Sequence, residues 1–209
     1  MPMHFCVWMR FLCPAFHGRR DGDQPEWPPS PLRAYQALVA AAAARAPTKT
    51  LEPAARAAFE WLEHQPPPTL VAPLGARTAG YRLSVPNNAM DLVASAWCRG
   101  IYDGSGDADP ATHRAMKSMQ ATLLGDDATA HYVWPLEDPL AEGDRRHMAT
   151  LADIAGSVVA LGWGIDMVVG HAEMVSDEQA TALPGERWVL WVPEILARGF
   201  RKYWPPEEM

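Results

Sequence analysis

Five consecutive residues near the amino terminus have side chains that suit contact with RNA: Phe16-His17-Gly18-Arg19-Arg20. Guanidinium groups and an imidazole are favourable partners for a phosphate, and an aromatic ring can stack on a base. The segment therefore predicts RNA contacts by Phe16, His17, Arg19 and Arg20. A structural interpretation stays open beside it, in which Phe16 belongs to the core and the arginines form a solvated turn.

A second basic segment, His113-Arg114-Ala115-Met116-Lys117, has similar potential. In an extended conformation His113, Ala115 and Lys117 share one face, whereas in a helix His113 and Lys117 do. Either arrangement can follow a nucleic-acid backbone, so His113, Arg114 and Lys117 are also predicted RNA contacts. An ordinary exposed basic segment explains the pattern equally well.

Three further places in the sequence favour a structural role. In Leu161-Gly162-Trp163-Gly164 the pattern predicts a helix that ends at Gly162, with Trp163 buried behind it. Asp166, just beyond, is interpreted as a salt-bridge partner or as a charge at a strand edge. Arg33 is interpreted as a residue that ties down a loop, and an RNA contact by Arg33 is the less favoured alternative.

Side chains for catalysis or metal binding form no convincing motif. The sequence has no Cys-x-x-Cys and no Gly-x-Ser-x-Gly pattern. RNA cleavage needs a general base and a general acid near a ribose hydroxyl. His17, His113 and His131 can serve, but nothing in the sequence pairs them with an acid. Adjacent carboxylates at Asp126-Asp127 are typical of a solvated loop. We therefore predict no catalytic residue, no metal and no cofactor in this span.

Composition limits the class of protein. The chain has 209 residues, a net charge of −7 and 48% hydrophobic residues, which predicts one folded domain, or one with a sizeable insertion. The acidity argues against strong binding of bulk nucleic acid, although clustered basic residues suit a grip on a short RNA segment inside an assembly. We expect no membrane partner, since no apolar run is long enough to span a bilayer. Three cysteines without metal-ligand spacing indicate reduced thiols in the cytoplasm.

The elements that must position these residues alternate between strands and helices. The pattern predicts strands at 5–12, 69–72, 80–85, 130–136, 165–172 and 187–192, and helices at 31–46, 49–64, 89–97 and 144–161. Ser30 is expected to cap the first long helix through its hydroxyl, ahead of Pro31. Without the second helix and an insertion at 87–129, the order is strand, helix, strand, strand, helix, strand. That order is typical of an α+β protein with a ferredoxin-like or RRM-like fold.

Four segments together resemble a known family: Phe11-Leu12-Cys13-Pro14-Ala15-Phe16-His17-Gly18, Glu26-Trp27-Pro28-Pro29-Ser30-Pro31-Leu32-Arg33, Tyr132-Val133-Trp134-Pro135-Leu136 and Leu161-Gly162-Trp163-Gly164-Ile165-Asp166-Met167-Val168. In this order and spacing they are similar to the CRISPR-associated fusion subunit of type I-G (formerly I-U) Cascade. In that family a crRNA-capping domain of Cas family five precedes a processing domain of Cas family six. The resemblance implies that 1–209 is one family-five-like domain and lacks the family-six domain.

The resemblance also implies a function and partners. It implies a ferredoxin-like fold with a thumb at 87–129, RNA contacts after the first strand, and a glycine-rich loop at Gly162-Trp163-Gly164 where backbone approaches RNA. The chain would hold the crRNA 5′ handle and cap the complex, beside the Cas family-seven backbone subunit and the Cas family-eight large subunit, with target DNA met indirectly. Two alternatives stay open: a crRNA-processing endoribonuclease, and a ferredoxin-like interaction module outside CRISPR systems.

Overall fold

The computed structural model describes residues 2–20, 24–46, 50–86, 90–104, 106–191 and 202–204. Along the chain the strands are β1 (Met3–Phe11), β2 (Ala15–Phe16), β3 (Thr69–Ala72), β4 (Gly75–Arg77), β5 (Tyr81–Pro86), β6 (Arg114–Met119), β7 (Thr122–Leu124), β8 (Thr129–Pro135), β9 (Val168–Ser176), β10 (Glu186–Trp191) and β11 (Lys202–Trp204). The helices are α1 (Pro31–Arg45), α2 (Pro53–Glu63), α3 (Met90–Cys98), α4 (Glu142–Ala155) and α5 (Asp177–Thr181), with a 3₁₀ turn at Gly106–Ala108. Two compact units result, one of 1–77 with 122–209 and one of 78–121.

A six-stranded sheet organises the first unit. Its strands follow the spatial order β11-β10-β3-β8-β1-β9, and the paired neighbours run antiparallel. β1 lies between β8 and β9, so that Trp8 is directly opposite both His131 and His171. The predicted mixture of helices with antiparallel strands is therefore confirmed.

Helices α1, α2 and α4 cover one face of this sheet. Side chains alternate between the two faces of a strand, and every second residue of β1 and β8 is buried on the helical side. The strand residues in this core include Phe5, Val7, Met9, Ala130, Tyr132 and Trp134. The helices add Leu38, Phe59 and Leu151. Each such large apolar side chain stabilises the fold by about 1.5–3 kcal/mol when fully buried.

The opposite face of the sheet is packed at one end. A smaller cluster lies there, made of Cys6, Val71, Val133, Val175 and Ala180 of α5. α5 follows β9 directly, at the end of the sheet where Met3 is paired with Ser176. The covered part of this face is therefore the part near the start of β1.

The start of α1 differs from the prediction in its capping. Ser30 occupies the N-cap position and Pro31 the first turn, as expected, but the Ser30 hydroxyl makes no capping hydrogen bond. Instead, the backbone N–H of Ser30 donates to Glu26 Oε1 at 2.8 Å. The carboxylate of Glu26 thus holds the chain just before the helix.

The end of α4 corrects a second prediction. The helix stops at Ala155, with Gly156 as its C-cap, although the pattern predicted a helix to residue 161. Val158 and Leu161 are nevertheless buried, because the loop after the helix packs them into the same core. The apolar residues of that loop have the spacing that two further helical turns would show. As a result β9 begins at Val168 and extends to Ser176.

The second unit is a hairpin with a short helical segment. β5 and β6 pair antiparallel, with Leu83 opposite Lys117. Within the same unit Trp97 Nε1 donates to the Ala108 carbonyl at 3.2 Å, joining α3 to the 3₁₀ turn. The Thr78 N–H donates to the Ala121 carbonyl at 2.9 Å and closes the unit at its base. This unit of 78–121 overlaps the insertion predicted at 87–129.

The three thiols should differ sharply in reactivity. Burial, reinforced by the nearby charge of Glu173, raises the pKa of the Cys6 thiol to about 12, whereas Cys13 and Cys98 are exposed. Because the thiolate is the reacting species, Cys6 should be inert near pH 8. Ellman's reagent should modify two thiols rapidly in the native protein and the third only after unfolding. The variant Cys13→Ser/Cys98→Ser should show no rapid phase, and a rapid phase from Cys6 would contradict the burial.

Candidate functional site

A buried carboxylate holds the loop that follows β2. The backbone N–H of His17 donates to both carboxylate oxygens of Asp166, at 3.1 and 3.2 Å. The Nδ1 of His17 lies 2.6 Å from Oδ1 of the same carboxylate. Asp166 is 1% exposed and His17 is 7% exposed. The expectation that no acid pairs with His17 is therefore wrong, and of the two interpretations of Asp166 the structure supports the salt-bridge partner.

The electrostatics of Asp166 follow from its burial. Loss of solvation raises the pKa of Asp166, while the hydrogen bonds from His17 and the positive charge of Arg33 act in the opposite direction. Burial is the largest of these influences, so this carboxyl keeps its proton to a higher pH than an exposed aspartate does. The nearest group with which it can share that proton is Nδ1 of His17.

Arg33 of α1 joins the start of that helix to the same loop. Its Nε donates to Glu26 Oε2 at 2.9 Å, and its Nη2 contacts the same oxygen. Nη2 also donates to the backbone carbonyl of Arg19 at 3.2 Å. The interpretation of Arg33 as a residue that ties down a loop is thus confirmed, while an RNA contact by Arg33 stays a prediction.

Aromatic rings pack together at the start of this loop. Phe16 is fully buried, with its ring centroid 5.4 Å from Phe11 and 5.8 Å from Trp27. The guanidinium carbon of Arg33 lies 5.8 Å from the Phe16 ring centroid. Trp27 is anchored in turn, because its Nε1 donates to the Pro73 carbonyl at 2.8 Å. Phe16 has no exposed ring face on which a base can stack, so its role in this conformation is to support the loop.

Gly162 lies in the loop between α4 and β9 and does not end the helix. Its φ is +98°, and a Cβ at this position would lie 2.8 Å from Nη1 of Arg33. The loop is closed by a hydrogen bond from the Asp166 N–H to the Trp163 carbonyl at 2.9 Å. The predicted C-cap role of Gly162 is wrong because Gly156 occupies that position. RNA contacts by Gly162, Trp163 and Gly164 stay predictions.

The two glycines of this loop provide a matched pair of substitutions. Gly162→Ala forces a side chain into a left-handed conformation and against Arg33, so we expect it to lower the free energy of unfolding by about 1–3 kcal/mol. Gly164→Ala has open space around the added Cβ and should change stability by less than about 0.5 kcal/mol. Urea unfolding of both variants measures the difference. Equal stability would show that Arg33 does not lie against Gly162.

Arg19 and Arg20 lie on the loop that this network holds. Arg19 forms an isolated antiparallel bridge with Pro25, and the Arg20 N–H donates to the Gln24 carbonyl at 3.0 Å. The Arg19 side chain is half-buried and that of Arg20 is exposed. The structure therefore places one half-buried and one exposed arginine on the loop that follows the buried His17–Asp166 pair.

Comparison with known proteins identifies the family. Residues 3–198 match the model of a family described as CRISPR-associated protein, GSU0054 family. The chain belongs to this family. The predicted association with CRISPR systems is confirmed at that level. Asp166, His17, Arg33 and Glu26 all lie within the part of the chain that matches the GSU0054 family.

A solved structure is also similar to this GSU0054-family chain. It is the crystal structure of a CRISPR protein from Archaeoglobus fulgidus, with 14% sequence identity and a TM-score of 0.40. The match covers 83% of the present chain and 64% of the archaeal chain. A search of curated proteins found no match.

The remaining predicted contacts of this GSU0054-family chain lie in the second unit. Arg114 and Lys117 are exposed on β6, and His113 immediately precedes that strand. His113 Nε2 lies 3.8 Å from the Asp107 carboxylate. Residues 114–119 are extended, so Arg114 and Lys117 lie on opposite faces of the strand, whereas His113 lies in the turn before it. RNA contacts by all three stay predictions.

In the described part of the chain, no group of three or more His, Cys, Asp and Glu side chains could hold a metal ion. No helix among the same residues is long and apolar enough to cross a membrane. In the first unit, the network of His17, Asp166, Arg33 and Glu26 fixes the loop that carries Arg19 and Arg20.

Two residues of this network were not predicted as site residues. Asp166 is a single carboxylate within the apolar run Ile165-Asp166-Met167-Val168, which is a signal that the side chain must find a buried partner. Glu26 stands four residues before Ser30, and the sequence alone does not indicate that its carboxylate holds the start of the helix. Which partner Asp166 takes depends on a contact between distant parts of the chain, and the sequence carries no pattern for that contact.

Proposed function

We propose that this chain is an RNA-binding subunit of a type I CRISPR surveillance complex, of the type I-G Cascade kind, that holds the crRNA 5′ handle. Membership of a CRISPR-associated family supports the part of this proposal that places the chain in a CRISPR system. The observation that carries the proposal is the held loop, in which Asp166 fixes His17 and Arg33 fixes the carbonyl of Arg19. Cations on a preorganised loop lose less conformational freedom when they bind phosphates.

We also infer that the core of the first unit is a ferredoxin-like, family-five-like domain. The strands β1, β3, β8 and β9 lie in the sheet order β3-β8-β1-β9. Helices connect β1 to β3 and β8 to β9, which is the strand-helix-strand-strand-helix-strand plan. In this proposal the unit of 78–121 is the thumb, and His113, Arg114 and Lys117 on it follow the RNA.

The net charge of the chain supports the proposal that it needs partner subunits to retain RNA. With a net charge of −7 the free chain repels a polyanion at long range. Stable retention of RNA therefore needs neighbours that enclose the handle. In the proposal these are the Cas family-seven backbone subunit and the Cas family-eight large subunit, and target DNA is met only through the assembled complex.

Nuclease protection of the crRNA tests the proposal. A complex of the backbone and large subunits with crRNA is assembled with and without this chain and then treated with a single-strand ribonuclease. We expect the 5′ handle to be protected only when the chain is present. Equal digestion of the handle in both preparations would refute the assignment, even if the chain joins the complex.

One observation favours the endoribonuclease alternative, namely the contact between His17 and Asp166. A carboxylate that holds one imidazole nitrogen is a typical way to prepare the other for proton transfer. His17 is, however, only 7% exposed, and a general base must reach the ribose hydroxyl. We therefore expect repeat RNA to remain intact when it is incubated with the chain in the absence of metal. Cleavage that is abolished by His17→Ala would establish the alternative.

A further inference from the structure

The face of the six-stranded sheet away from the long helices is open at one end. α5 and its cluster cover the part near the start of β1, around Cys6. Farther along β1, the residues on this face are Trp8 and Arg10. Trp8 is half-buried and packs against this cluster, whereas Arg10 and His171 are exposed. Three pairs of neighbouring residues lie in this open area. Trp8 is opposite His171 and Arg10 is opposite Val169, and the Leu12 N–H donates to the Met167 carbonyl.

The first of these pairs forms an aromatic surface. The ring centroids of Trp8 and His171 are 5.2 Å apart, with an interplanar angle of 44°. On the other side of Trp8 lies His131, which is directly opposite it on β8 and is 7% exposed. Burial lowers the pKa of His131, which favours its neutral form, so that it adds no positive charge to this face. His131, Trp8 and His171 are therefore register partners on three adjacent strands.

The second pair supplies a cation without an internal partner. Within the described residues, no ion pair or hydrogen bond holds the Arg10 guanidinium, although the protein has a net charge of −7. Two carboxylates border the area: Glu173, opposite Cys6, and Asp127, which accepts a hydrogen bond from Thr129 at 2.9 Å. A phosphate is repelled at those borders and attracted at Arg10. Residues two apart on a strand are about 6.6 Å apart, so a nucleotide stacked on Trp8 can place its phosphate at Arg10.

We propose that Trp8, His171 and Arg10 form a second contact site for single-stranded RNA, with bases on the two rings and a phosphate on Arg10. This proposal rests on the proposed RNA-binding function and adds a surface on the sheet, apart from the loop of Arg19 and Arg20. Sheets with exposed aromatic residues on adjacent strands bind unstacked bases in this way. Leu12, Met167 and Val169 extend the surface with apolar contacts for a ribose or a base edge.

Anisotropy of a short fluorescein-labelled oligoadenylate tests this site on the whole chain at low salt. The wild-type chain should bind weakly, with a Kd of about 10⁻⁴–10⁻⁶ M. His171→Ala and Trp8→Ala should each weaken binding by about 5- to 150-fold, the range for one lost stacking contact. Trp8→Phe keeps an aromatic ring and should stay near the wild type. Arg10→Ala should weaken binding and flatten its salt dependence, whereas Arg56→Ala, an exposed arginine on α2, should not.

The possible outcomes separate this inference from the function on which it rests. Unchanged binding by His171→Ala and Arg10→Ala would overturn the sheet site, because neither exposed side chain is needed for folding. If binding is then lost in Arg19→Ala/Arg20→Ala, the RNA-binding function stands without the sheet site. The sheet site is also overturned if the wild-type chain binds no oligoadenylate at about 10⁻³ M. Protection of the 5′ handle in the complex then tests the proposed RNA-binding function separately. If His171→Ala binds RNA as the wild type does but no longer associates with another subunit in the absence of RNA, the sheet site is overturned. The surface then docks a protein instead of RNA.

Discussion

Replacing Asp166 with alanine should lower the free energy of unfolding by about 2–4 kcal/mol, a large effect for one side chain. The substitution removes the acceptor for the His17 backbone N–H and for Nδ1, both of which are buried. It also removes a carboxylate that His17 and, to a smaller extent, Arg33 stabilise electrostatically. Urea unfolding followed by circular dichroism measures the change.

Asp153 is the matched control for this prediction. Its side chain is 68% exposed and pairs with Arg45 on the surface. Exposed pairs contribute little, so Asp153→Ala should cost less than about 1 kcal/mol. If the two alanine variants were equally stable, the buried contact between Asp166 and His17 would not exist in solution.

The same carboxyl predicts a pH dependence. Because burial raises the pKa of Asp166, the folded protein holds this proton more tightly than the unfolded chain does. The stabilising contribution is fully present below the ordinary value of 3.8 and is lost as the pH rises through the raised pKa. Asp166→Asn does not titrate, so its stability relative to the wild type should improve over that range. A difference that stays constant with pH would contradict the raised pKa.

The double variant Arg19→Ala/Arg20→Ala should release crRNA from the assembled complex as salt is raised. Each lost phosphate contact removes about 0.7 from the slope of log K against log salt for a single strand, so the slope should fall by about 1.4. Retained crRNA is quantified after washes of increasing ionic strength. The folding of the chain should be preserved, because the Arg33 contact uses the backbone carbonyl of Arg19 and not its side chain.

Arg56→Ala/Arg145→Ala serves as the control for charge. Both residues are exposed on helices of the other face, α2 and α4, and the control removes the same number of positive charges. It should leave the salt slope unchanged. Identical salt profiles for the two double variants would mean that the loop after β2 does not hold the RNA.

The order of strands and helices could be predicted because the main elements carry clear local signals. β8 is rich in bulky residues and buried on both faces, and α2 shows an apolar stripe through Ala55, Ala58 and Phe59. Proline residues at its two ends also allowed the first helix to be predicted correctly. The end of α4 was misjudged because Val158 and Leu161 are buried from a loop while keeping helical spacing. A buried loop and a buried helix leave the same apolar pattern in a sequence.

The site was predictable in its residue types but not in its contacts. His17, Arg19, Arg33 and Gly162 were singled out from separate segments, and the structure brings these segments together around Asp166. The close approach of Gly162 to Arg33 could not be predicted, since it arises from the packing of α1 against a loop far along the chain. The open sheet face with Trp8 and His171 depends on strand register, which the sequence of either strand alone does not set.

Site-resolved crosslinking tests the central claim most directly. A complex that contains this chain and photoreactive crRNA is irradiated, digested and examined by mass spectrometry for peptides joined to nucleotides of the 5′ handle. The account predicts crosslinks to the peptide that contains His17, Arg19 and Arg20, and their loss in Arg19→Ala/Arg20→Ala. A complex in which the chain is present and the handle crosslinks only to other subunits would contradict it.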